Sequence, residues 1–194
     1  MPDKPSYLGT LNAIVNGERR GFEFLNAWSE RSPDPDISLM LKTVALREAE
    51  HAATFEKRMC ELGYTLREKS DPKFDKTMKL VASDASDLEK FEKLGYDKTP
   101  DEAEEDELLR VLADKSIDPQ TGALLGRFIA EERDSGRILR EASLCARKRS
   151  GEMPDSARTD PATLSQISVQ LEELTKAVAQ LQTAVQLEPN RSRD

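Results

Sequence analysis

The chain is poor in the residues that most often carry catalysis and recognition. Its 194 residues include one histidine, two cysteines, one tryptophan and three tyrosines. Cys60 and Cys145 are far apart and neither belongs to a CxxC pair, which excludes a rubredoxin-type or zinc-ribbon site. Both cysteines are read as small apolar core residues in a reducing cytoplasm. Aromatic residues make up 5% of the chain and strand-length runs of Val, Ile and Thr are scarce, which argues against a sheet. The 29 basic residues are outnumbered by 37 acids. The formal net charge is −8, the wrong sign for a phosphate-binding surface, so no nucleic-acid partner is expected. No apolar run approaches the ~20 residues needed to span a bilayer. The start, MPDKPSYLGT, lacks the apolar core of a signal peptide. A cytoplasmic protein with no membrane partner is therefore expected.

What remains is helix. Residues 5–31 carry Leu11, Ile14, Val15, Phe22 and Leu25 at steps of three and four, and the prolines of SPDPD end the segment. A second helix over 37–62 carries Leu41, Val44, Phe55, Met59 and Leu62, with Gly63 as its stop. Asp71-Pro72 opens a third, carrying Phe74, Met78, Val81, Leu88 and Phe91 and fading at Gly95. Thr99-Pro100-Asp101-Glu102 reads as a capping box for a short acidic insert through 114. Asp118-Pro119 starts a fourth long helix to about Arg149, with Leu124, Phe128, Ile138, Ala142 and Cys145 on its stripe. Residues 1–150 thus read as an all-α four-helix bundle. Trp28 and the phenylalanines are assigned to its core.

Residues 151–160 have the composition of a linker. In 161–187, Leu164, Ile167, Leu171, Leu174, Val178, Leu181 and Val185 follow a strict 3-4 spacing, the heptad of a coiled coil. Such a seam either pairs with copies of itself or docks on the bundle, and a homo-oligomer is the expectation.

The apolar stripes are interrupted near the middle of each helix, by acids or by the lone histidine. The interruptions are Glu18 in the first helix, Glu48 and His51 in the second, Asp84 with Asp87 beside it in the third, and Glu131 and Asp134 in the fourth. Carboxylates in a bundle core are costly to desolvate and repel one another unless a cation sits between them. Glu48-x-x-His51 places both side chains on one helix face, and that puts Glu50 outward. Glu131 and Glu132 compete for one inward position, and Glu131 is preferred. Arg127, Arg133, Arg137 and Arg140 are read as partners of neighbouring acids. Oxygen-rich ligands with one imidazole suit iron, manganese or zinc.

Three segments carry a resemblance to a known family. GERRGFEF (17–24), REAEHAATFEKRMCELG (47–63) and FIAEERDSGRIL (128–139) resemble the helix motifs of the rubrerythrin-like branch of the ferritin-like superfamily. The resemblance covers residues 5 to 150. It implies a ferritin-like bundle holding two iron ions per chain, with ligands at Glu18, Glu48, His51, Asp84, Asp87, Glu131 and Asp134. It also implies an oxidoreductase that reacts Fe(II) with peroxide or dioxygen. The chain departs from the family pattern in three ways. Asp134 stands where the family has histidine, Asp84 and Asp87 stand for glutamates, and the heptad segment replaces the rubredoxin domain. A peroxidase role would then require a separate electron-donor protein, whereas a ferroxidase role needs only Fe(II). The alternative is a non-catalytic metal-binding or structural adaptor bundle assembled through its coiled coil.

Overall fold

Two aspartate–proline pairs start the two longest helices. Asp34 accepts hydrogen bonds from the backbone N–H groups of Asp36 (2.9 Å) and Ile37 (3.2 Å). Asp118 accepts from Thr121 N–H (3.0 Å). In each case proline occupies the first helical position, where its missing N–H is of no consequence. The computed structural model describes residues 5–97, 109–110 and 112–151. The helices are α1 (Leu8–Ser29), α2 (Pro35–Glu61), α3 (Phe74–Val81), α4 (Asp87–Leu94) and α5 (Pro119–Ser150). The described residues contain no strand. The chain divides into two compact units, Met1–Glu152 and Met153–Asp194, and everything described lies in the first. The heptad at 161–187, the linker at 152–160 and most of the acidic insert lie outside the described residues. None of the helices described is long and apolar enough to cross a membrane.

α1 and α2 form a tight antiparallel hairpin. α5 runs antiparallel to α2, and three sets of contacts fix its register. Arg58 meets Asp118 and Thr121, Arg47 meets Glu131 and Ser135, and Arg149 meets Asp34 and Asp36. α3 packs on α1, α4 packs on α5, and α3 meets α4, which closes a ring of helices. The segment 62–73 is fastened to α1 by Asn12 and Asn16. Their side-chain oxygens accept from the N–H groups of Arg67 (2.7 Å) and Lys69 (2.9 Å), and both amides donate to the Arg67 carbonyl.

The expected third helix is two short ones. Ser83 and Ser86 offer the backbone local partners that compete with a continuous helix. Ser83 Oγ donates to the Leu80 carbonyl, Ala85 N–H donates to Ser83 Oγ, and Ser86 caps α4 by accepting from Glu89 N–H (3.2 Å). Ser86-x-x-Glu89 is a capping-box pattern that marks this start in the sequence. Asp71 caps less directly than expected: α3 begins at Phe74, and Asp71 accepts instead from Lys73 N–H (2.9 Å). Gly95 ends α4 at φ +79, a left-handed conformation that any side chain would strain.

The interior is two apolar cores with a polar layer between them. One core contains Leu25, Trp28, Leu41, Val44, Phe91 and Leu139. The other contains Leu11, Val15, Phe55, Met59, Leu125 and Phe128. The gap along α1 falls between Val15 and Leu25, along α2 between Ala45 and Phe55, and along α5 between Ile129 and Leu139. Of the two cysteines expected in the core, only Cys145 packs against it. Cys60 is exposed and Cys145 only half-buried.

Candidate metal centre

The polar layer gathers five titratable side chains from three helices. Glu18 comes from α1, Glu48 and His51 from α2, and Glu131 and Glu132 from α5. Glu18, Glu48 and His51 are 7%, 8% and 4% exposed. His51 is the hub. Its Nδ1 lies 3.0 Å from Glu18 Oε2, and its Nε2 lies 2.8 Å from Glu131 Oε2. Glu132 Oε1 lies 3.4 Å from Nδ1, too far to be a good hydrogen bond when Glu18 already takes that nitrogen. Among the described residues this buried oxygen has no hydrogen-bond partner. Phe128 meets the imidazole edge-on at 5.1 Å between ring centres and closes the site on the side of the second core.

The electrostatics follow from crowding acids in a dry interior. Burial pushes the Glu48 carboxyl up to about 9, and the charges of Glu18 and Glu132 add to the effect. Burial likewise raises Glu18, although its hydrogen bond to His51 opposes this. For His51, burial disfavours the charged ring, but the neighbouring carboxylates of Glu132, Glu18 and Glu131 outweigh it and bring its pKa to about 10. The imidazolium therefore serves as the internal counter-ion of the cluster. Burial disfavours the Glu131 carboxylate, but hydrogen bonds from His51 and Arg127 (3.0 Å) hold its pKa below the usual range. Tyr96 is pushed up, first by burial and then by the charges of Glu48 and Glu132.

Of the seven ligands expected from the sequence, the structure brings together Glu18, Glu48, His51 and Glu131. Asp84 is exposed in the turn between α3 and α4. Asp87 is buried, but its carboxylate accepts from Trp28 Nε1 (2.7 Å) and Ser32 Oγ (2.6 Å). Trp28 is ten residues beyond Glu18 on α1, roughly 15 Å at the helical rise. The break after α3 is what places Asp87 at that end of the molecule. Asp134 lies on the flank of α5 and pairs with Arg47 (3.0 Å) and Arg137 (2.8 Å), whose hydrogen bonds lower its pKa. These three aspartates are corrected from candidate ligands to a surface acid, a structural acceptor and an ion-pair anchor.

Glu132 is the gain. Adjacent positions on a helix lie about 100° apart, so Glu131 and Glu132 straddle the inward direction and both reach His51. Two further residues shape the site. Tyr96 follows α4 and had no signal in the periodicity. Gly21 stands where a Cβ would lie 2.5 Å from Glu48 Oε2. Glu50, as expected, is exposed, and it pairs with Arg127 (2.6 Å).

Glu18, His51 and Glu132 each offer a ligand atom, and these atoms all lie within 4.8 Å of one another. Two oxygens and one nitrogen at that spacing, one oxygen without a hydrogen bond among the described residues, form a donor set that fits a borderline to hard divalent cation. No known protein family, no characterised protein and no solved structure matches this chain.

Proposed function

We propose that the chain is a ferritin-like carboxylate–histidine metal protein that binds iron at the buried cluster and acts as an oxidoreductase on Fe(II) with peroxide or dioxygen. One observation carries this reading. Four carboxylates and the only histidine of the chain meet between two apolar cores, and among the described residues the buried Glu132 Oε1 makes no hydrogen bond, only an ion-pair approach of 3.4 Å to His51. One imidazolium among four carboxylates leaves the cluster with excess negative charge, which a bound cation would relieve. A bound cation would replace both the proton of Glu48 and the imidazolium charge as the counter-charge. Glu18, His51 and Glu132 would hold a first ion, and Glu48 and Glu131 are the further ligands for a second. Manganese or zinc would use the same set.

Bound iron supplies one-electron chemistry between its Fe(II) and Fe(III) states. The residues around it bind, orient and hold protons. Glu18 and Glu131 fix the His51 ring from opposite sides. Glu48, with a pKa of about 9, can store a proton at neutral pH and release it when a cation arrives. Phe128 and the second core keep water from that side. With α3 and α4 counted as one interrupted helix, the ring of helices would supply the four-helix bundle that this reading requires. Residues 161–187 would assemble copies of the chain. A separate donor protein would be needed for peroxide turnover.

The test is aerobic loading with Fe(II), followed by near-ultraviolet absorption. A new band and oxidation of the added iron support the reading. The placement of Asp84 and Asp87 away from the cluster favours a second reading, a non-catalytic metal-binding or adaptor bundle. That reading expects bound metal with neither the band nor accelerated oxidation.

A further inference from the structure

A cleft of about 390 Å³ leads from the surface between α1 and α3 to the inner carboxylates. Glu48 and Glu132 form part of its lining, whereas Glu18 and His51 do not. Its walls include Phe24, Leu25, Phe74 and Tyr96. The rings of Phe24 and Tyr96 are nearly parallel, at 18°, with centres 6.5 Å apart. Arg20, Asp71 and Thr77 add polar groups to the lining. The volume lies in the range of pockets for small organic molecules, and a metal ion or a dioxygen molecule would fill only a small part of it.

The lining also sets the charge of an occupant. Glu132 would repel an anion. Arg20 and Asp71 pair with each other (3.3 Å), Arg20 being held also by the Lys69 carbonyl (2.7 Å), so neither sets the sign of the lining. A hydrogen-bond donor, by contrast, would meet the Glu132 carboxylate, whose side chain lines the cleft and is 26% exposed. Flat apolar walls favour a flat apolar body, since aromatic faces pack best against one another.

We propose that this cleft binds a small flat organic molecule that presents a hydrogen-bond donor and carries no negative charge, of the phenol or arylamine class. The proposal goes beyond metal binding and stands on the cleft alone, so it is tested on the full chain with no metal added. Phenol, aniline and benzoate are titrated by calorimetry, with ligand-observed NMR as a second readout. Phenol and aniline are expected to saturate one site, and benzoate to bind about tenfold more weakly or not at all. Thr77→Trp places a large ring in the cleft from α3 and is expected to abolish phenol binding. Thr77 is half-buried, and its hydroxyl bonds only the Lys73 carbonyl of its own turn (3.4 Å), so the variant is expected to keep its helical circular dichroism. Glu132→Gln keeps the shape of the lining and removes the charge, and is expected to narrow the preference for phenol over benzoate. The proposal is overturned by absence of phenol binding, by equal affinity for benzoate, by full binding in a folded Thr77→Trp chain, or by an unchanged preference in Glu132→Gln.

Discussion

Gly21→Ala separates the stability of the bundle from the integrity of its centre. A glycine inside a helix ordinarily costs about 0.5–1 kcal/mol relative to alanine. The substitution should therefore stabilise α1. The new Cβ, however, would lie 2.5 Å from Glu48 Oε2 and 3.1 Å from its Cδ. The first is closer than a Cβ can stand and the second is tight, so the carboxylate must move. Glu48 is only 8% exposed, and its carboxylate rotates away at an off-rotamer cost of about 0.5–1.5 kcal/mol. The two effects are of similar size and opposite sign. Denaturant unfolding should thus register a change within about 1 kcal/mol of zero. Metal affinity should fall by about tenfold or more, the usual effect of displacing a group that supports a metal site. Calorimetric titration with Fe(II) under anaerobic conditions, beside the unfolding curves, measures both. Unchanged stability with unchanged metal affinity would refute the placement of Glu48 in the centre. A loss of several kcal/mol would refute the argument that its carboxylate can yield.

His51→Ala should bring iron binding well below that of the parent chain while the far-ultraviolet spectrum stays helical, and Glu50→Ala should be mild because that side chain is exposed. Equal damage from the two would overturn the helix phase. Asp87→Ala strands the indole N–H of the fully buried Trp28 and should cost about 1–3 kcal/mol on unfolding without changing metal content. Asp134→His, which creates a Glu-x-x-His pattern on α5, should leave the absorption and oxidation rate of iron-loaded protein unaltered, because Asp134 faces Arg47 and Arg137. Two pH effects have opposite signs. Asp118 is held below the usual carboxylate range by Thr121, Tyr7 and Arg58, so its contribution is present above the unfolded pKa of about 4 and is lost as pH falls below it. Acid unfolding of Asp118→Ala should show a weaker pH dependence there. Glu48 is raised instead, so metal-free protein should lose stability as pH climbs from its unfolded value of about 4.5 toward 9, and metal should restore more of it at the higher pH.

The long helices were legible because their signals are local. Apolar residues at three- and four-residue steps give the buried face, and aspartate–proline pairs give the starts of α2 and α5. Glu18, Glu48 and His51 were legible because a polar residue on an apolar stripe is costly unless it has a purpose. The third helix misled for a related reason. Val81 and Leu88 keep the stripe in phase and both are buried, so periodicity alone could not reveal the break. The serines and the Ser86–Glu89 cap carried that information. Asp87 has the burial expected of a ligand, but its partner Trp28 is fixed by tertiary packing that no spacing rule reports. Arg47 was overlooked because its role depends on register between α2 and α5. It bonds the Glu131 carbonyl, Ser135 and Asp134 at once, and so draws Asp134 away from the interior. Tyr96 and the cleft depend on how the segment after α4 returns toward α1, which is also non-local.

The most direct test of the metal centre is the metal content of the purified full chain after anaerobic Fe(II) loading and desalting, measured by mass spectrometry beside a Glu18→Gln/Glu132→Gln variant. The two substitutions keep side-chain volume and remove two of the three closely spaced donors. The parent chain should retain iron in fixed ratio to protein, and the variant should retain little while keeping its helical circular dichroism. A parent chain that retains no iron, or a folded variant that retains as much as the parent, would contradict the assignment of this cluster as a metal centre.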